Sequence, residues 1–310
     1  MAEAQKIWIE AWAPEYGSSF EASDALAATE EEVDTAVEID EWEAIVPGPT
    51  PWRTSAFLDG VSRVDARAFM AAGKVTVPGL CGSVGVGAVI VDGKANYGPL
   101  EVHRTAVFGA GASATIPPID TALDYESRSV QGSRPEELRM GIENLRSEHE
   151  DEMARRLAGE GYLVIADGPA RIREKLEVVG FIKSHQKTYL NPDLDQVVAD
   201  LPAGGRTPLF HFGAIRPRYS WYQRLAPRGD QHPWAAIARC EVTAALSLKK
   251  AVALADLLTF HLPRFGSKAH WDTRAPQNLI PIAQLERRLR HLLGDRELVY
   301  RKIRSALAGG

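Results

Sequence analysis

Between residues 55 and 166 the chain sets out strand-like and helix-like segments in an order that few folds accommodate. Ala56-Phe57-Leu58 is an apolar run ending in Asp59-Gly60, and residues 64–70 continue the first hairpin. Residues 81–91 (Cys-Gly-Ser-Val-Gly-Val-Gly-Ala-Val-Ile-Val) are small and β-branched, and Asp92-Gly93 closes them with a turn signal. Residues 101–108 read as a further strand. Ser133-Arg134-Pro135-Glu136 then reads as a capping box opening a helix to about residue 158. Leu138, Ile142, Leu145, Met153 and Leu157 share its apolar side, and Gly159-Glu160-Gly161 stops it. Residues 162–166 form a short apolar strand. Three antiparallel strands joined by tight turns, a helix, and a strand returning parallel to the first are the simplest assembly.

That order is the one a ribonuclease-H-like core requires, so the expected class is α/β with a mixed sheet and additional C-terminal helices and strands. Beyond Gly180, residues 185–190, 209–212 and 238–248 suggest strands and residues 249–257 a helix. A helix from about Ile280 through Leu285, Leu289 and Leu292 stops at Gly294, and a last one covers 296–306. No repeat of solenoid length is present. The expected division is an acidic N-terminal segment, 1–51, and one domain, 52–310, with Pro47-Gly48-Pro49-Thr50-Pro51 at the boundary.

Charge separates those two parts. Residues 1–51 hold thirteen Asp/Glu and one Lys, whereas the rest holds 35 Lys/Arg against 28 Asp/Glu. The body is therefore mildly basic, which is compatible with nucleic acid. The acidic stretch, residues 21–43, reads as a solvated helix, a mobile arm or an internal mimic of a phosphate backbone; residues 6–12 read as a strand or a brief helix. Two cysteines, Cys81 and Cys240, without ligand spacing argue against a disulfide framework and against structural zinc. With no signal-peptide pattern and no membrane-length apolar run, a cytoplasmic location is expected.

The candidate chemistry lies in a repeated pattern. Val164-Ile165-Ala166-Asp167-Gly168-Pro169 repeats the strand-then-Asp-Gly arrangement of residues 56–60. Two strands ending in carboxylates could deliver both to one sheet end, where a hard divalent cation takes oxygen ligands. A glutamate from the intervening helix would complete the set. Rise per residue puts the middle of that helix level with Asp167, which favours Glu148 or Glu150 over Glu152. Helical phase leaves Glu148 and Glu150 equivalent, one on each edge of the apolar stripe. Taken singly, each Asp-Gly is also an ordinary turn and each glutamate a solvated helix face. Lys183 after the second copy could hold a phosphate as a point charge; Arg63 could pair with Asp65 or a phosphate. His185 reads as a packed or surface residue rather than a ligand. Arg216, Arg218 and Arg224 interleave with Tyr219, Trp221 and Tyr222, either as a grip on single-stranded DNA or with the aromatic rings in the core.

These blocks resemble a known family. Phe57-Leu-Asp-Gly-Val-Ser-Arg63 with Val64-Asp-Ala-Arg67, and Ile165-Ala-Asp-Gly-Pro169 followed by residues 179–190, are similar to the bacterial branch of the NurA-type nucleases. Arg218-Tyr-Ser-Trp-Tyr222 and Trp271-Asp-Thr-Arg-Ala-Pro-Gln-Asn-Leu279, followed by Leu285-Glu286, extend the likeness over about residues 50–300. The resemblance implies a DNA exo- or endonuclease using Mn²⁺ or Mg²⁺, with Asp59, a helix glutamate and Asp167 as metal ligands and catalytic residues. Family spacing favours Glu150, and Lys183 matches the family's basic catalytic residue. It further implies a homodimer acting beside a HerA-type hexameric ATPase in DNA end processing and repair. DNA contacts are expected at Arg63, Lys183, Arg216, Arg218 and Arg224. One departure stands out: archaeal members carry a catalytic Tyr and His near the C-terminus, and the comparable segment here, Ala275-Pro276 through Ala283-Gln284, has neither. A second class of function follows from that loss, a non-catalytic DNA-end or ATPase-binding module.

Overall fold

The computed structural model describes residues 32–308 apart from 73, 115, 117, 118, 120–122 and 186–188. The expectations for residues 6–12 and for the acidic stretch before residue 32 lie outside the described residues. The chain divides into two compact units: Met1–Phe57 with Val91–Gly93 and Leu157–Ala283, and Leu58–Ile90 with Lys94–Arg156 and Gln284–Gly310. The class is mixed α/β with mostly antiparallel strands. Among the described residues no helix is long and apolar enough to cross a membrane.

The second unit is built on three long strands, β2 (Ser55–Ala72), β3 (Val75–Asp92) and β4 (Lys94–Phe108), adjacent in that order and joined by short turns. Gly93, at φ +68°, makes the tight turn into β4. Asp59-Gly60 makes none. The expected hairpin turn there is corrected: β2 runs through it for 18 residues. The later part of β2 carries Asp65, a buried carboxylate that the chain itself neutralises. Arg63 Nε donates to it at 2.8 Å, Tyr125 Oη at 2.8 Å, and the Ser83 hydroxyl bonds it as well. A short strand β5 (Glu126–Ser129), absent from the sequence expectation, adds parallel to β4.

Two helices cover β3 from opposite sides. Ile142 of α1 (Pro135–Gly159) lies against Gly82, whereas Leu289 of α4 (Ile280–Leu292), together with Leu293 just beyond it, lies against Gly85. Three positions apart on a strand, those glycines face opposite ways, which is why β3 is buried on both sides. Leu138, Ile142, Leu145, Met153 and Leu157 are all buried, as the helical spacing predicts. The reciprocal cap differs by one residue: Glu137, not Glu136, accepts the Arg134 N–H at 2.9 Å. The last helix, α5 (Arg296–Ala308), packs Val299 and Ile303 into the core around Phe108 and Tyr125.

In the first unit the strand order is β1-β8-β9-β10-β7-β6: Val33–Asp34, Phe210–Phe212, Arg218–Arg224, Ile237–Thr243, Val178–Ile182 and Leu163–Asp167. All neighbours are antiparallel except β6 and β7. Two helices accompany them, α2 (Pro192–Ala199), which sequence reading missed, and α3 (Leu248–His261). The strand expected at 185–190 is not formed by its described residues; β7 lies earlier. His185 is buried there, its Nε2 3.2 Å from the Ile237 carbonyl oxygen, and burial depresses its pKa to about 4. Each unit holds one buried free thiol, Cys81 on β3 and Cys240 on β10.

The described part of the acidic segment is neither a solvated helix nor a loose arm. Residues 33–34 pair with β8, and Ile45 exchanges backbone hydrogen bonds of 2.8 and 2.9 Å with Arg206. The Arg206 guanidinium, 1% exposed, takes Glu38 bidentately at 2.7 and 2.9 Å and Asp256 at 2.8 Å. Glu38 also accepts the Leu209 N–H at 2.7 Å. Arg206→Ala strands two carboxylates beside a buried cavity, so we expect a loss of about 3–5 kcal/mol in urea unfolding. A cost below about 1 kcal/mol would mean the segment is held as weakly as an exposed ion pair.

Candidate active site

Asp167 is the last residue of β6, and Lys183 follows the last residue of β7. The strands are parallel, with Asp167 level with Phe181, so both side chains emerge at the same strand ends. Lys183 Nζ donates to Asp167 Oδ2 at 2.6 Å and to Asn278 Oδ1 at 3.2 Å. Asn278, fully buried, is itself fixed by donating to Asp272 Oδ2 at 2.5 Å. Burial raises the Asp272 carboxyl, but the Arg274 N–H and the Asn278 amide outweigh it and hold the carboxyl below its ordinary value. Among the described residues Lys183 is the one group bonded to the Asp167 carboxylate, through Oδ2, which leaves Oδ1 able to accept or ligate. An ammonium held between a strand-end carboxylate and a buried amide is a positioned point charge for an anion.

The turn after Asp167 is fixed from two sides. Gly168, at φ +94°, donates its N–H to the Phe181 carbonyl at 2.8 Å, and the Ala170 N–H donates to Glu241 Oε1 at 2.9 Å. The turn passes so close to β7 that a Cβ on Gly180 would stand 2.7 Å from the Gly168 carbonyl oxygen. Glu241 is wholly buried on β10 and is neutralised by Arg218 at 2.5 Å and Arg239 at 2.7 Å. Sequence reading assigned no role to Glu241, Asn278 or Asp272. The only available signal for Asn278 and Asp272 was the polar block 271–279, already quoted for its likeness.

In the second unit Asp59 lies within β2 and Glu150 on α1, both under 10% exposed. The Gly60 N–H donates to Asp59 Oδ1 at 2.8 Å. Glu150 is paired with Arg146, which also reaches Glu143 at 3.0 Å, and Glu143 accepts the Ser62 hydroxyl at 2.5 Å. Burial opposes the charge on Arg146, but Glu150 and Glu143 outweigh it and raise its pKa. Glu150 stands directly over Gly60: a Cβ there would meet Glu150 Oε1 at 2.5 Å. The structure also separates two residues that helical phase left equivalent. Glu148 is exposed and paired with Arg128 at 2.7 Å, whereas Glu150 is buried against the strand.

The donors at Asp59, Glu150 and Asp167 are all carboxylate oxygens, the type that Mn²⁺ and Mg²⁺ prefer. Among the described residues, no three His, Cys, Asp or Glu side chains are grouped so as to hold a metal ion. The donor chemistry fits a hard cation; the donor number grouped together among the described residues does not reach three.

The expected DNA contacts divide sharply. Arg216 is exposed. Arg218 is drawn to Glu241, and Arg63 gives its donors to Asp65, Gly294 and Leu293. Arg224 is corrected outright: it is buried and donates to the carbonyls of Leu201, Ala199, Pro233 and Ala235, so no donor faces a phosphate. Trp221 and Tyr222 are core residues at 0% and 1% exposure, which removes them as stacking platforms.

No protein-family model matches the chain, and no curated protein sequence matches it. Among solved structures, the NurA nuclease from Sulfolobus solfataricus is similar, at 12% identity over 86% of this chain and 88% of that one, with a TM-score of 0.49.

The contact between Gly60 and Glu150 is testable by a double-mutant cycle. Gly60→Ala pushes the Glu150 carboxylate off its place beside Arg146, and we expect a loss of about 1–3 kcal/mol in chemical denaturation. In a Glu150→Ala background most of that penalty should vanish. An equal penalty in both backgrounds would show that Glu150 does not bear on Gly60.

Proposed function

We propose that the chain is a metal-dependent nuclease that hydrolyses phosphodiester bonds in DNA, on a ribonuclease-H-like core. The observation that supports this best is the Asp167–Lys183 pair, a carboxylate and an ammonium 2.6 Å apart at the ends of adjacent parallel strands. It coincides with the second sequence block of the NurA-type resemblance. In this reading Asp59, Glu150 and Asp167 would hold Mn²⁺ or Mg²⁺. Such an ion supplies an activated water and positive charge at the leaving oxygen.

The chain's own residues supply the rest. Lys183, oriented by Asn278, offers its ammonium to a non-bridging oxygen of the scissile phosphate, where fixed positive charge stabilises the more highly charged transition state. The clamped turn at Gly168 keeps the Asp167 carboxylate from following the substrate as it departs. Gly60 keeps room for the Glu150 carboxylate beside β2. The HerA-type ATPase and the homodimer belong to the same proposal and rest on the resemblance.

A second reading has one observation in its favour. Glu150 and Asp167 each already carry an internal cation, Arg146 and Lys183 respectively, as the acids of a catalytically degenerate DNA-end or ATPase-binding module would. Digestion of linear DNA by purified protein, with Mn²⁺, with Mg²⁺ and with a chelator, decides between the two. We expect metal-dependent cleavage that Asp59→Asn and Asp167→Asn each reduce by roughly 100-fold or more. Full activity in a folded double variant would overturn the assignment of these carboxylates. Absence of cleavage by folded wild-type protein that still binds DNA would favour the module.

A further inference from the structure

The second unit contains a cleft of about 600 Å³ whose lining includes Arg67, Arg139, Arg296, Glu297 and Tyr300, with the buried Asp65 at its inner side. The three arginines come from β2, α1 and the start of α5, and all are exposed. Among the described residues none of them forms an ion pair with a carboxylate, in contrast to Arg63, Arg104 and Arg146 in the same unit. Glu143, one turn along α1 from Arg139, is already engaged by Ser62 and Arg146. Asp65 does not offset the cleft's charge, because Arg63 and Arg104 neutralise it from within. Residues 284–310 add seven Lys/Arg against three Asp/Glu, so much of the basic excess of the body lies in this C-terminal segment. Sequence reading placed its DNA contacts elsewhere.

Three guanidinium groups from separate elements, none held in an ion pair among the described residues and all around a concave surface, make a site for several phosphate oxygens, although Arg139 also acts at longer range on Glu143. Tyr300 is 38% exposed, with the Arg304 guanidinium 5.8 Å from its ring centroid, and offers a face on which a base can stack. We propose that this cleft binds consecutive phosphates of a nucleic-acid strand, as a docking site built within the second unit, whereas Asp167 and Lys183 belong to the first. The proposal rests on the reading that the chain acts on nucleic acid, but neither metal nor cleavage is needed to test it.

The test is fluorescence anisotropy of a short labelled single-stranded oligonucleotide with the full chain in chelator, from roughly 50 to 200 mM salt. In the triple variant Arg67→Ala, Arg139→Ala, Arg296→Ala we expect affinity to fall at least tenfold. The slope of log affinity against log salt should become shallower by about 2, at about 0.7 per lost phosphate contact. The matching triple Lys variant, which keeps the charge, should retain most of the slope. Inorganic phosphate and a mononucleotide serve as competitors and should displace the strand only at millimolar concentration. Unchanged affinity and slope in a triple Ala variant that melts as the wild type does would overturn the proposal. So would displacement of the strand by inorganic phosphate at micromolar concentration, which would mark the cleft as a site for free phosphate. A protein that binds strands through these arginines yet cleaves nothing would sink the nuclease reading and leave this one standing.

Discussion

A carboxylate with no access to water has to be neutralised and hydrogen-bonded by its own chain, and Glu241 is the point where that requirement organises the first unit. Its partners come from three elements: Arg239 on the same strand, Arg218 on β9, and the backbone N–H of Ala170 in the turn after β6. Burial works against the charge on Arg239, but Glu241 outweighs it and raises the pKa of the guanidinium. Because one of the partners is the turn itself, the direction in which Asp167 leaves its strand is set by an ion cluster on β10. A strand-end acid on a free loop would sample many positions. This one is fixed before any ligand arrives, as charge-stabilising sites require.

The periodic parts of the fold were legible. The apolar spacing of α1, the Leu285–Leu289 repeat of α4 and the β-branched run of β3 mark faces that have to be buried, and the structure buries them. What pattern could not convey was how polar residues would be partnered. Asp59-Gly60 carries the local signature of a turn, yet β2 runs through it, with the Gly60 N–H on Asp59 and with Arg63, Ser83 and Tyr125 on Asp65. Arg224 has the composition of a phosphate contact; backbone carbonyls left unpaired by neighbouring loops claim it instead. Glu38 looks solvated in sequence because its partner, Arg206, lies 168 residues away.

The same distinction explains why only half of the candidate site could be read. Asp59 and Asp167 stand within recognisable sequence blocks. Glu150 was separable from Glu148 only by burial, which depends on where α1 meets β2 rather than on helical phase. Asn278 and Glu241 hold the site in place through contacts 95 and 71 residues distant in the chain. Arginine shows the division most plainly: Arg63, Arg218 and Arg224 are consumed internally, while the cleft of the second unit is lined by Arg67, from a recognisable block, and by Arg139 and Arg296, from stretches outside any such block.

The two cysteines acquire a use from their placement. Thiol chemistry proceeds through the thiolate, and burial together with Asp65 pushes the Cys81 thiol up to about 12, while burial raises that of Cys240 as well. Both are silent in the native chain, and each belongs to a different compact unit. An alkylating reagent therefore registers a unit only when that unit opens, and the two modification rates clock the two openings separately in one unlabelled, unmutated protein.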